Sequence, residues 1–169
     1  VEGRNLWRLR TPADVQQSIR VLERATAADA NYAPAYAALA DAYNITMSGL
    51  SPAARYERAK AYAERAVALQ PDLADGHTSL AFLRYKFEWR WDDAERHFKS
   101  ALATGITDQF LLAAYADFLI ARGRPQEALQ LITTEAVRLM GASSGSVVLI
   151  YPTSGFLEIQ ADQGLPRNA

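Results

Sequence analysis

Residues 36–43 read Tyr36-Ala37-Ala38-Leu39-Ala40-Asp41-Ala42-Tyr43, and this octet decides the fold. Its aromatic rings stand seven residues apart, with a leucine three after the first ring and alanines in most other places. On a helix that spacing brings Tyr36, Leu39 and Tyr43 to one face, while the alanines beside them let a second helix approach closely. Weaker copies follow as His77-x-x-Leu80-Ala81-x-x-Arg84 and Leu112-x-x-Tyr115-Ala116-x-x-Leu119.

Between the octets runs a companion pattern: small, bulky, small, then a break. It occurs as Ser18/Leu22/Ala25/Ala30, Ala59/Ala63/Ala66/Pro71 and Ala94/Phe98/Ala101/Ile106. The intervals from Ser18 to Ala59, Ala94 and Ala128 are 41, 35 and 34 residues. A fixed period of this length marks paired helices, each pair leaving a face uncovered until the next stacks on it.

Start and stop signals keep the same frame. Thr11-Pro12-Ala13-Asp14 offers a hydroxyl cap, a proline at the first helical position and an early acid, and Ser51-Pro52 repeats the device. Pro125 opens another helix, and Asp92 is read as the cap of one starting at Asp93. Breaks fall at Asp29 to Asn31, Gln70-Pro71-Asp72 and Gly105 to Asp108. The predicted helices span about 13–28, 34–46, 53–69, 74–87, 92–103, 109–121 and 125–140. The segment before Thr11 is read as the tail of a truncated first helix, and the start at Val1 as a sign that coding sequence precedes it. The seven extra residues of the long interval fall in Asn44 to Ser51; they are read as a local extension of a helix end, with a functional loop as the alternative.

After about residue 140 the period changes. Val147 to Tyr151 is apolar on both faces, whereas Phe156 to Ala161 alternates, and Pro152-Thr153-Ser154-Gly155 is a hairpin loop between them. Such a hairpin is marginal alone, so its apolar side chains call for further sheet. The expected class is mainly α, an α–α superhelix of helix pairs with a C-terminal β-hairpin.

Composition restricts the chemistry. With 50% apolar and 22% charged residues the chain is globular, and a net charge of −1 draws it neither to nucleic acid nor to an anionic membrane. Arg4, Arg8, Arg10, Arg20 and Arg24 make the N-terminal end basic, but acids elsewhere dilute them, so no direct nucleic-acid binding is expected. No apolar run spans a bilayer, which argues against membrane insertion, and the absence of cysteine excludes disulfides. His77 and His97 are the only histidines; His77 fills the aromatic slot of its octet and is read as packing. Asp93 and His97 lie one helical turn apart, but two ligands fall short of the usual three or four, so these residues are read as a helix start and no metal or cofactor is expected. No phosphate-binding loop or nucleophile motif occurs, and the chain is read as non-enzymatic. Trp89 and Trp91, in "KFEWRWDD", are read as plugs between adjacent repeats.

The repeats resemble the tetratricopeptide family over about 1–130. More narrowly, "EGRNLWRLRTPADVQQSIRVLERATAADANYAPAYAALADAY" and "DLADGHTSLAFLRYKFEWRWDDAERHFKSAL" are similar to arrays attached to bacterial winged-helix regulators, class III nucleotide cyclases and some serine/threonine kinases. Gly105-Ile106-Thr107 departs from the usual Asp-Pro break, and Ile132 and Glu135 stand where a bulky and a small residue are usual. Residues 131–169 resemble the opening of a GAF domain, a helix ending at Leu139-Met140-Gly141-Ala142, then two strands and Gly164-Leu165-Pro166. The resemblance implies an inner groove showing Asp41, Asn44, Thr78, Phe82, Tyr85 and Asp117. These side chains disfavour an acidic tail and suit a protein, peptide or fused domain with a basic or apolar face. It further implies a cytoplasmic interaction scaffold within a multidomain bacterial signalling or transcription-regulatory protein. The alternative is part of a GAF-type sensor upstream of a kinase or cyclase. Helix 125–140 is read as shared by the two modules, against a junction near Gln130.

Overall fold

The computed structural model describes residues 12–45, 50–106, 108–140, 145–151 and 155–163. Within them run α1 (Pro12–Ala28), α2 (Ala33–Ile45), α3 (Pro52–Leu69), α4 (Ala74–Lys86), α5 (Trp91–Ala103), α6 (Gln109–Ala121) and α7 (Pro125–Met140), followed by β1 (Gly145–Tyr151) and β2 (Gly155–Gln163). The Thr11 cap, the helix read before it, residues 46–49 of the Asn44–Ser51 extension, Gly141-Ala142, the Pro152–Ser154 part of the turn and Gly164–Pro166 lie outside the described residues. The chain divides into two compact units, Val1–Ile106 and Thr107–Ala169. The sequence boundary at 130/131 falls inside the second.

In the first unit, α1 packs on α2, α2 on α3, α3 on α4 and α4 on α5, and α2 also touches α4. This contact between alternate helices is the mark of stacked pairs: α4 settles against both members of the preceding pair, α2 and α3, rather than against α3 alone. The alanine pattern explains the fit. Ala59, Ala63 and Ala66 of α3 are fully buried, as are Ala94, Phe98 and Ala101 of α5 and Ser18 of α1. Between α1 and α3, α2 buries Ala35, Ala37, Leu39, Ala40, Ala42 and Tyr43. One cluster, including Val15, Ile19 and Leu22 of α1, Leu39 of α2, Ala59 and Ala63 of α3, and Leu80 and Leu83 of α4, makes the core continuous from α1 to α4. Gly76 admits the backbone of α4 close to α3, since a Cβ there would stand 3.0 Å from Val67 Cγ2.

The helix ends follow local chemistry. Ser51 Oγ accepts from the Ala54 amide at 3.2 Å with Pro52 beginning α3, and Asp108 Oδ1 accepts from Leu111 N at 2.9 Å to open α6. The start of α5 differs from the sequence reading. It begins at Trp91 with Arg90 at the cap position and no side-chain cap bond, so Asp92 and Asp93 lie in the first turn. Arg90 ion-pairs with Asp93, holding the carboxylate inside the helix rather than leaving its neighbour to cap it.

In the second unit, α6 buries Leu111, Tyr115, Phe118 and Leu119. It stops at Gly123, whose φ of +72° supports paired bonds from Gly123 N to Ile120 O and from Arg124 N to Leu119 O. Helix α7 then packs on α6 and on both strands. The strands pair antiparallel from Gly145↔Gln163 to Tyr151↔Gly155, with an irregularity between Val147 and Leu149. Among the described residues no helix is long and apolar enough to cross a membrane.

Candidate functional site

The groove residues expected from the sequence fall into three states. Asp41, Thr78 and Tyr85 are buried. The Asp41 carboxylate accepts from Ser79 Oγ across the α2–α4 contact, and Thr78 Oγ1 donates back to Ala74 O at 2.9 Å. Asn44 and Phe82 are half-buried, and Asp117 is exposed on α6. Asp41, Thr78 and Tyr85 thus have roles inside the fold, while Asn44 and Phe82 are the members of the first unit that solvent reaches.

A different surface is open, and the sequence reading missed it. A cleft of about 550 Å³ is lined by Val21 and Ala25 of α1, Ala35 and Ala38 of α2, and Leu73 and Ala74 at the start of α4. Tyr32 and Ile106, 43% and 68% exposed, also line it, and Asp72 and Asp75 add carboxylates to its wall. None of the six expected groove residues lines it. The signal available beforehand was weak, because its floor uses the same small residues that pack helices elsewhere.

The turn from α4 to α5 is built around Glu88. Tyr56 Oη donates to it at 2.5 Å, Arg84 grips both carboxylate oxygens, and Lys60 Nζ lies 3.2 Å away. Burial pulls its pKa upward, but hydrogen bonds from Arg84, Tyr56 and Lys60 outweigh that and hold it at about 2. Glu88 is therefore ionised throughout the neutral range, tying the turn to α3. Beyond it Trp89 is 70% exposed with φ +57°, a left-handed backbone that costs a bulky residue roughly 1–2 kcal/mol. Its ring meets Trp91 at 5.9 Å, and Trp91 in turn meets Tyr85 at 5.2 Å. The expectation that both tryptophans plug a gap is thus corrected for Trp89: Trp91 is half-buried, whereas the left-handed turn carries Trp89 into solvent.

His77 and His97 form a second polar pair between α4 and α5. Their Nδ1 atoms are 2.9 Å apart, and His77 Nε2 lies 2.8 Å from the Pro71 carbonyl. A carbonyl only accepts, so His77 Nε2 carries a hydrogen toward Pro71 O. Burial, reinforced by His77 and the Arg84, Arg96 and Arg90 charges, pushes His97 down to about 4.

Comparison with known proteins places the fold. No family model matches the chain, and no curated protein matches it. Among solved structures, it is similar to the crystal structure of a thermophilic TPR protein from Thermus thermophilus. The TM-score is 0.64 and the identity 22%, over 80% of this chain and 69% of that one. The chain is mainly α and carries a TPR-like helical repeat.

Proposed function

We propose that this chain is a non-catalytic protein–protein interaction scaffold, part of a multidomain bacterial signalling or transcription-regulatory protein. The observation that carries the reading is the cleft over α1, α2 and the start of α4: an apolar floor with Asp72 and Asp75 in its wall. Apolar anchors fill such a floor, and lysine or arginine beside them meets the carboxylates, so the partner is a peptide or domain face that is both apolar and basic. Asn44 and Phe82 extend the partner-facing surface of the first unit, with Asp41, Thr78 and Tyr85 supporting it from beneath; Asp117 is the corresponding position on α6.

Peptide display against the chain tests this reading. Selected sequences are expected to combine an aromatic or aliphatic anchor with lysine or arginine. The double substitution Tyr32→Ala with Asp72→Lys, at two exposed positions, is expected to weaken them at least about tenfold, as loss of one anchor and one charge contact implies. Selection of acidic peptides, or equal binding by the variant, contradicts the assignment.

A second reading rests on the strands. An antiparallel pair packed on α7 is the arrangement with which a sensor of the GAF type opens, and it favours a sensing module, 131–169 being its N-terminal part, upstream of a kinase or cyclase.

A further inference from the structure

We propose that this chain binds a second copy of itself head to tail, the turn from α4 to α5 of one copy seating in the cleft over α1, α2 and the start of α4 of the next. The inference rests on the reading of that cleft as a site for an apolar and basic partner, and it names the partner. Among the described residues of the first unit, the exposed large apolar side chains are Tyr32, Phe87, Trp89 and Ile106. Tyr32 and Ile106 line the cleft, and Phe87 and Trp89 both lie in the turn.

The two patches match in charge and in size. The cleft sets Asp72 and Asp75 beside an apolar floor. The turn reads Lys86-Phe87-Glu88-Trp89-Arg90, two rings between two cations, which is the combination that floor and those carboxylates take. Its one acid, Glu88, is satisfied from within by Arg84, Tyr56 and Lys60. Lys86 and Arg90 are both exposed; Arg90 pairs with Asp93, a carboxylate it shares with Arg96. A knob of two rings suits a cleft of about 550 Å³, inside the range of roughly 300–1,000 Å³ for pockets that enclose a small ligand.

The turn is also held in shape before it meets a partner. Phe87 N donates to Leu83 O at 3.1 Å and Arg90 N to Arg84 O at 2.9 Å, while Glu88 ties the segment to α3. This fixed backbone puts Trp89 at φ +57° with its ring 70% exposed, so a bulky residue bears strain with little burial in return. Burial against a second copy offsets that strain, and few groups remain to be ordered on binding. A copy cannot fill its own cleft: the cleft lies at the start of α4 and the turn past its end, and the 13 residues of that helix hold them about 20 Å apart. The contact therefore joins different patches on the two copies, and it repeats from copy to copy unless the rotation closes a ring.

Sedimentation equilibrium of the tag-free whole chain tests this, with a mass expected to rise reversibly with concentration. Trp89→Gly removes the knob and suits the left-handed backbone, so the fold tolerates it. Tyr32→Ala with Asp72→Lys spoils the cleft and leaves the turn. Each variant is expected to weaken self-association at least about tenfold. Mixed together they are expected to stop at a 1:1 dimer, since one keeps only the cleft and the other only the turn. A chain that stays monomeric up to about 1 mM, unchanged association in Trp89→Gly, or a mixture of two folded variants with no 1:1 dimer overturns the proposal. Where the cleft variant loses its fold, Trp89→Gly alone decides. The reading of the cleft is judged apart from this: display that still selects aromatic and basic peptides, with no self-association, keeps the cleft and removes only the second copy as its occupant.

Discussion

Phe98→Ala is expected to lower the unfolding free energy by about 3–5 kcal/mol, the range for truncating a fully buried phenylalanine. Phe98 is 0% exposed, and its neighbours on the same face of α5, Ala94 and Ala101, are equally buried. Ala94 and Ala101, on the same face, are too small to fill the void, and the helix–helix spacing is already set by small residues. The cavity therefore persists and adds its own cost to the lost transfer free energy. The matching position of the last repeat provides the contrast. Ile132 is 39% exposed, and Ile132→Ala is expected to change stability by less than about 1 kcal/mol. Urea midpoints at constant slope measure both; equal losses at the two positions would mean that α5 and α7 use the repeat pattern alike, against the burial.

The second large effect has the opposite sign of volume. Ala63→Leu is expected to destabilise by about 1–3 kcal/mol or somewhat more, the usual penalty for forcing methylenes into a filled interface. Ala63 lies between Ala59 and Ala66 on the buried face of α3, all three are fully buried, and Ala59 and Ala63 share one core cluster with Leu39 and Tyr43 of α2. A leucine there must separate the two helices or push Leu39 and Tyr43 off their places. Ala61→Leu on the exposed face of the same helix is the control, expected within about 0.5 kcal/mol. If Ala63→Leu is as silent as Ala61→Leu, the close approach of α2 and α3 is not what the alanines provide.

Most of the architecture was legible because it is written in residue size. The helix limits read from caps and breaks agree with the structure to within a residue at each end, since signals such as Ser51-Pro52 and Pro125 act through their own backbone geometry. The repeat frame was legible for a related reason: a small residue at Ala59 or Ala94 has no other way to serve a helix interface than by being buried there. Even the departure at Ile132 was visible, as a bulky residue in the right slot but followed by Glu135 where a small one belongs.

The candidate site was less legible, and the causes are geometric. The family resemblance assigned Asp41, Thr78 and Tyr85 to an open groove, yet it carries no information on how far the next helix covers them here, and α4 covers Asp41 through Ser79. The exposure of Trp89 depends on a left-handed turn that a sequence with tryptophan in that place argues against. The cleft is assembled from three helices and three connecting segments, each contributing residues that read as ordinary packing. His97 was weighed with Asp93 on its own helix, whereas its partner is twenty residues away on α4.

The account rests on α1 to α5 being stacked in order rather than closed into a bundle, and a map of proton–proton contacts among the methyl and aromatic side chains tests this directly. Cross-peaks are expected between α2 and α4, as between Leu39 and Leu80 or Leu83, alongside those between successive helices. Cross-peaks joining α1 to α5, as between Leu22 and Phe98, with none between α2 and α4, would contradict it.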